Sequence, residues 1–385
     1  MSVRDQDLAG IREAVAKLCA SFPMEYWRET DRERRYPTEF VVALTRAGWL
    51  ACLIPEEYGG AGLPLRAAAA VLEEIQKSGA NGAACHAQMY TMGTVLRHCS
   101  EAQKRKYLPK IAAGELRLQA FGVTEPSAGT DTSSIRTTAV KKGDRWVVNG
   151  QKVWTSRAEH SDLMLLLART APRDEARKTE GMSVFIVDMK AALGRGLTIR
   201  PIRTMINHAT TEVFLENLEI PAENLVGEDG KGFRYIIDGM NAERILIGAE
   251  CIGDARWFLA KATAYANERK VFGRPIGQNQ GVQFPIARAH MATEAAALMV
   301  ERATALYDSK QPCGPEANMA KQLAAEASWQ AGDMCLQTHG GFGFAEEYDV
   351  ERKLRETRLY QIAPISTNLV LCYIAEHVLH LPRSY

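Results

Sequence analysis

Three stretches of the chain carry residue types that could do chemistry. Residues 121–131 read FGVTEPSAGTD, with Thr124, Ser127 and Thr130 set among the chain-bending Gly122, Pro126 and Gly129. Backbone N–H groups and hydroxyls in such a stretch can point at a polar ligand instead of closing a helix. Further on, Trp154-Thr155-Ser156 places an aromatic plate beside two hydroxyls, a resting place for a flat heterocycle. Third, Glu243 shares one helical row with Ile236, Met240, Ile247 and Cys251, so its carboxylate points along an apolar seam. Burial there disfavours the charged form and raises the pKa, which suits a group that abstracts a proton. Plainer readings exist for each: a surface turn and helix cap, a packed indole, and a structural ion pair or a solvent-turned helix for Glu243.

Composition bounds what holds these residues. The 385 residues are 46% hydrophobic and 24% charged, enough for two or three domains with full cores. A formal net charge of +1 and the lack of a basic block with interleaved aromatics argue against nucleic acid as partner. Eight cysteines occur singly without a CxxC pair, so neither a disulfide framework nor a metal site is expected. His86 beside Cys85, and His98 beside Cys99, have no third ligand at useful spacing. The opening MSVRDQDLAG has no apolar leader and no run is long enough to span a bilayer, so a soluble cytoplasmic protein is expected.

Periodicity gives helices from residue 5 to about 118. These include a stripe at Leu8, Ile11, Val15 and Leu18, a helix over 37–48, an alanine-dense helix to Ser78, and one over 101–113. From 135 to 226 the chain changes to short apolar or alternating runs, with Asn149-Gly150 as a hairpin turn and 168–181 as a charged loop. From Gly232 the pattern is helical again, broken at 272–281, 311–315 and 339–344.

TEPSAGTD, NGQKVWTS, AERILIGAECIG, YANERKVFGRPIGQNQ and QTHGGFGFAEEY, in that order and at these separations, resemble the acyl-CoA dehydrogenase family over nearly the whole chain. The resemblance implies a mainly α fold with a central β domain: an N-terminal helical domain (1–118), a β-barrel-like middle domain (119–227) and a C-terminal four-helix bundle (228–385). It also implies FAD as cofactor, an acyl-CoA substrate, electron-transfer flavoprotein as electron acceptor, and a homotetramer built as a dimer of dimers. The implied reaction is α,β-desaturation, with a proton going to a carboxylate and a hydride to flavin N5.

Family roles carry over residue by residue. Phe121, Val123, Thr124, Gly129 and Thr130 would line the flavin, with Thr130 also near the CoA phosphates. Trp154 would cover the isoalloxazine beside Thr155, and Ser156 stands where the family places a hydroxyl on flavin N5. Arg269, Phe272 and Gln280 would reach the FAD of a neighbouring subunit, and Gln337, Gly340 and Gly341 its adenosine part. Ser366 and Asn368 complete the cofactor set. Met240, Asn241, Arg244, Pro364 and Ile365 join Thr130 on the substrate side, and no metal is implied.

The family's usual base is a Glu in a YEGT-like segment. Here that segment reads YQIAPISTN, and Pro364 occupies the Glu position. The isovaleryl and long-chain types place the base on the helix with an ER pair, which corresponds to Glu243-Arg244. Proline also lacks the N–H that would donate to the thioester oxygen, so Ile365 is the candidate donor. That substitution keeps two other readings open: desulfinase- or reductase-like chemistry on the same fold, or a catalytically silent FAD or acyl-CoA binding homologue. Met89, Tyr90, Met92 and Met240 are bulky pocket candidates, pointing to a short or branched acyl group.

Overall fold

The computed structural model describes residues 5–384. Met1 to Arg4, which open the segment read above for a leader, lie outside the described residues. The chain divides into two compact units that do not follow chain order. One holds residues 36–63 and 83–240, the other 5–35, 64–82 and 241–384. The boundary falls inside the long helix Gly232–Glu268, after Met240.

The first unit is organised on a mixed eight-stranded sheet. Its order is Leu197–Pro201, Thr210–Pro221, Arg145–Ser156, Thr138–Lys142, Leu163–Arg169, Met182–Asp188 and Leu225–Val226, and Leu118–Gly122 pairs in parallel with Leu163–Arg169. LMLLLAR, apolar at nearly every position, becomes a strand buried on both faces. Leu163, Leu165 and Leu167 enter one core, while Met164, Leu166 and Ala168 enter the other. Met92, Val95, Leu108 and Ile111, from the helices Ala83–His98 and Glu101–Ala112, pack into the first of these cores.

Asn149-Gly150 is not a hairpin turn. Arg145–Ser156 runs through it as one strand, and the hairpin closes instead at Gly143, which has φ 62° between Lys142 and Arg145. The ladder slips between Val148 and Gly150, and a Cβ at Gly150 would lie 2.7 Å from the Thr137 Cα. The glycine therefore serves a bulge under close backbone approach, a use that the dipeptide shares with a tight turn.

The second unit is helical, with Gly232–Glu268, Gln280–Asp308 and Gly314–His339 as its long members. Gly248 sits against Ala320, and Gly332 against Phe258, so the first and third of these helices run parallel. The eight cysteines are free thiols. Among the described residues no helix is long and apolar enough to cross a membrane.

Candidate active site

The loop at 121–131 is built by a buried ion pair. Glu125 accepts from the Arg136 and Thr137 N–H groups at 2.6 and 2.9 Å and from the Lys152 ammonium at 2.8 Å. Lys152 donates also to the Val123 carbonyl at 3.0 Å, and the Val153 N–H to that of Thr124 at 2.9 Å. Burial opposes ionisation of Glu125, but Lys152 and the two backbone donors hold its carboxyl below the usual range. These bonds tie the TEPSAGTD loop to the strand ending in Trp154-Thr155-Ser156. Sequence reading missed both residues. The available signal was alternation from Trp146 and Val148, which puts Lys152 on the inward side of the strand.

The strand end then presents Trp154 at φ 60°, with 59% of its surface exposed. An indole left open in a left-handed conformation is an apolar plate without a cover. Ser156 and Thr124 are half-buried, and Gly129 and Thr130 are exposed. Thr155 is buried, its hydroxyl is enclosed without a partner among the described residues, and its carbonyl accepts from the Thr211 hydroxyl. Of the two hydroxyls beside the indole, only that of Ser156 stays partly open. Phe121 and Val123 are half-buried and pack against the core. Met89 and Met92 are buried, each 1% exposed.

In the helical unit, Glu243 is 8% exposed and has no hydrogen bond among the described residues. Desolvation, opposed by Arg244, pushes its carboxyl up to about 7. The seam expected from periodicity understates this burial, because the helix is enclosed on every side over 242–255. Its rotation therefore does not matter, and among the described residues neither an ion pair with a distant arginine nor a solvent-turned carboxylate is found. Arg244 is 9% exposed, donates to the Asn241 side chain at 3.0 Å, and keeps an enclosed Nε without a partner. Met240 and Pro364 are half-buried and Ile365 is buried. The Ser366 hydroxyl caps helix Thr367–Tyr373 by accepting from the Leu369 N–H at 3.3 Å, and Asn368 is exposed.

The same unit carries a second aromatic surface. Arg269 lies over Phe342 at 5.6 Å, and Tyr265 stacks on His339 at 4.2 Å, joining the YANERKVFG and QTHGGFGF motifs. Phe272, at φ 50° on the tip of the ribbon Lys270–Val271 and Arg274–Pro275, is fully exposed, and Phe344 is 72% exposed. Gly340 has φ 59° and ψ −134°, a conformation open only to glycine. Gln280, Gln337 and Gly341 are exposed beside these residues in sequence.

Three consecutive families match this chain: the acyl-CoA dehydrogenase N-terminal domain over 5–115, the middle domain over 120–218 and the C-terminal domain over 230–379. The chain belongs to the acyl-CoA dehydrogenase family. It is 34% identical over 386 residues to acyl-CoA dehydrogenase fadE12 of Mycobacterium bovis, covering 100% of this chain and 98% of that protein. The structure of a glutaryl-coenzyme A dehydrogenase in complex with glutaryl-CoA is similar at a TM-score of 0.92 and 32% identity, over 100% of this chain and 98% of the other. A second, under a title on the electron transferring flavoprotein of Acidaminococcus fermentans, has a TM-score of 0.91 and 30% identity, over 98% of this chain and 100% of that one.

The protein is thus an FAD-dependent oxidoreductase with the acyl-CoA dehydrogenase fold, helical at both ends around a β middle, and α,β-desaturation of acyl-CoA thioesters is the family's typical chemistry. Its residues fit FAD. The uncovered Trp154 plate beside Ser156 suits a tricyclic ring, and the exposed Arg269 guanidinium and fully exposed Phe272 suit a pyrophosphate and a base.

Proposed function

We propose that Glu243 is the base that removes the proton beside the thioester carbonyl of a bound acyl-CoA. The observation that carries this is the carboxylate's enclosure without a hydrogen-bond partner on an apolar helix, with its pKa raised to about 7. A base with a pKa near the working pH combines adequate ionised population with adequate basicity. Bound FAD would supply the two-electron acceptor, held by Thr124, Thr130, Trp154 and Ser156, with Arg269, Phe272, Gln280, Gln337, Gly340 and Gly341 serving a second copy's cofactor. Within the chain, Arg244 keeps Glu243 from rising further, and the Asn241 side chain fixes the Arg244 fork.

A homo-oligomer fits this reading. Phe284, Met291 and Leu298, seven residues apart on helix Gln280–Asp308, are 51, 70 and 69% exposed, an apolar stripe that a second copy would cover. A dimer of dimers, segments 1–118, 119–227 and 228–385 as domains, an electron-transfer flavoprotein as acceptor and a cytoplasmic location complete the proposal. The apolar bulk of Met240 favours a short or branched acyl group.

The test is flavin bleaching across saturated acyl-CoAs from butyryl to palmitoyl, followed by the same assay on Glu243→Gln with FAD retained. Bleaching by wild type and its loss in the variant support the proposal. An unchanged rate in the variant removes Glu243 from the reaction. No bleaching by any substrate would favour the alternative that Pro364 raises, a reductase-like or silent member of the fold.

A further inference from the structure

Residues 361–366, which link the turn Leu359–Gln361 to helix Thr367–Tyr373, are tied to helix Gly314–His339 in two ways. Gln361 donates its side-chain amide to the Ala325 carbonyl at 2.8 Å, an ordinary neutral tie. Lys321, completely buried, donates its ammonium to the Ile365 carbonyl at 2.9 Å. Among the described residues that carbonyl is its one hydrogen-bond acceptor, no carboxylate lies within ion-pair distance, and Cys251 and Glu326 act on it only through space.

An ammonium has three donors, and burying it without a counter-ion is costly. A helix that needed only to hold the segment could use a second amide, as Gln361 shows. The charge is therefore the feature that needs a reason. The parallel packing of the two long helices puts Ala320 against Gly248, about one and a half turns past Glu243, and the Arg244 charge is close enough to repel that of Lys321. Pro364 has no N–H to offer, while the N–H of Ile365 has no acceptor among the described residues. Negative charge growing on a thioester oxygen needs donors and positive charge already in place before the proton moves.

We propose that Lys321 is a positioning residue for the reaction: it fixes the peptide after Ile365 so that the Ile365 N–H donates to the thioester oxygen, and it supplies the buried positive charge behind that donor. The proposal rests on the acyl-CoA reading above but not on the identity of the base. The probe is acetoacetyl-CoA, whose acidic α-proton ionises to an ultraviolet-absorbing enolate without oxidation. On the FAD-loaded enzyme, Lys321→Met should leave thermal stability unchanged or higher, since apolar replacement of a buried charge is often neutral or stabilising. The ionisation constant of the bound probe should fall at least tenfold. Flavin reduction by the best saturated acyl-CoA should fall ten- to a hundredfold, with KM changed less than threefold. If Lys321→Met does not fold, Lys321→Gln, which keeps an N–H for the carbonyl, should shift the same two readouts by a smaller factor. A folded variant with unchanged probe ionisation, or one whose KM and kcat fail together, overturns the proposal. Failure of Glu243→Gln to slow reduction would sink the base assignment alone, because ionisation of the probe reports on Lys321 without it.

Discussion

Two buried glutamates behave in opposite ways. Glu125 is 4% exposed and Glu243 8%, so depth does not separate them. Glu125 has an ammonium at 2.8 Å and two backbone donors, and stays ionised below the usual carboxylate range. Glu243 has only the nearby charge of Arg244, with no hydrogen bond, and its carboxyl rises to about 7. Burial is a cost shared by both, and the partners decide whether the group becomes a fixed strut or a reactive acid. One carboxylate anchors the 121–131 loop, and the other is the base proposed above.

The contrast can be broken most severely at Glu243. Glu243→Gln should lower single-turnover flavin reduction by about a hundred- to ten-thousandfold, the range expected for loss of a general base, with FAD still bound. At Glu125 the damage should be to the fold. Lys152→Met strands a buried carboxylate and should cost about 3–5 kcal/mol in urea unfolding. Adding Glu125→Gln to that variant should recover part of the loss.

The comparison sharpens with pH. Native Glu243 holds its proton more tightly than the unfolded chain, whose carboxyl titrates near 4.5. Its contribution to stability therefore falls as pH rises from 4.5 to about 7, by roughly 3 kcal/mol, and Glu243→Gln should remove that fall. Glu125 has the opposite sign: its contribution is present above the unfolded pKa and lost as pH drops through its lowered native one. Reduction kinetics should rise with pH and level off above an apparent pKa of about 7, and a flat profile from pH 5 to 9 would contradict a Glu243 base. The smallest effect should come at the exposed plate. Trp154→Ala should weaken FAD binding by about 1 kcal/mol, read as faster cofactor release, while apoprotein stability stays within about 0.5 kcal/mol.

Much of this was legible before any coordinates. The helix, β, helix order, the all-apolar strand at Leu163–Arg169 and the apolar row around Glu243 follow from residue periodicity, which is a local property. The Asn149-Gly150 reading failed because one dipeptide serves a tight turn and a bulge equally well, and the close approach of Thr137 selects the bulge. Nor does residue type say that the Ser366 hydroxyl caps a helix or that the Thr155 hydroxyl is enclosed in the sheet.

Chain order and side-chain chemistry by themselves determined the family's five motifs, the absence of a glutamate at position 364 and the candidacy of Glu243. Only the tertiary structure decided which buried charges would find a partner. Lys152 finds Glu125 across 27 positions and Lys321 finds the Ile365 carbonyl across 44, while among the described residues nothing comparable reaches Glu243. The reason is physical: propensity and periodicity act over one or two turns, whereas the fate of a buried charge depends on which distant group the packed core brings within about 3 Å.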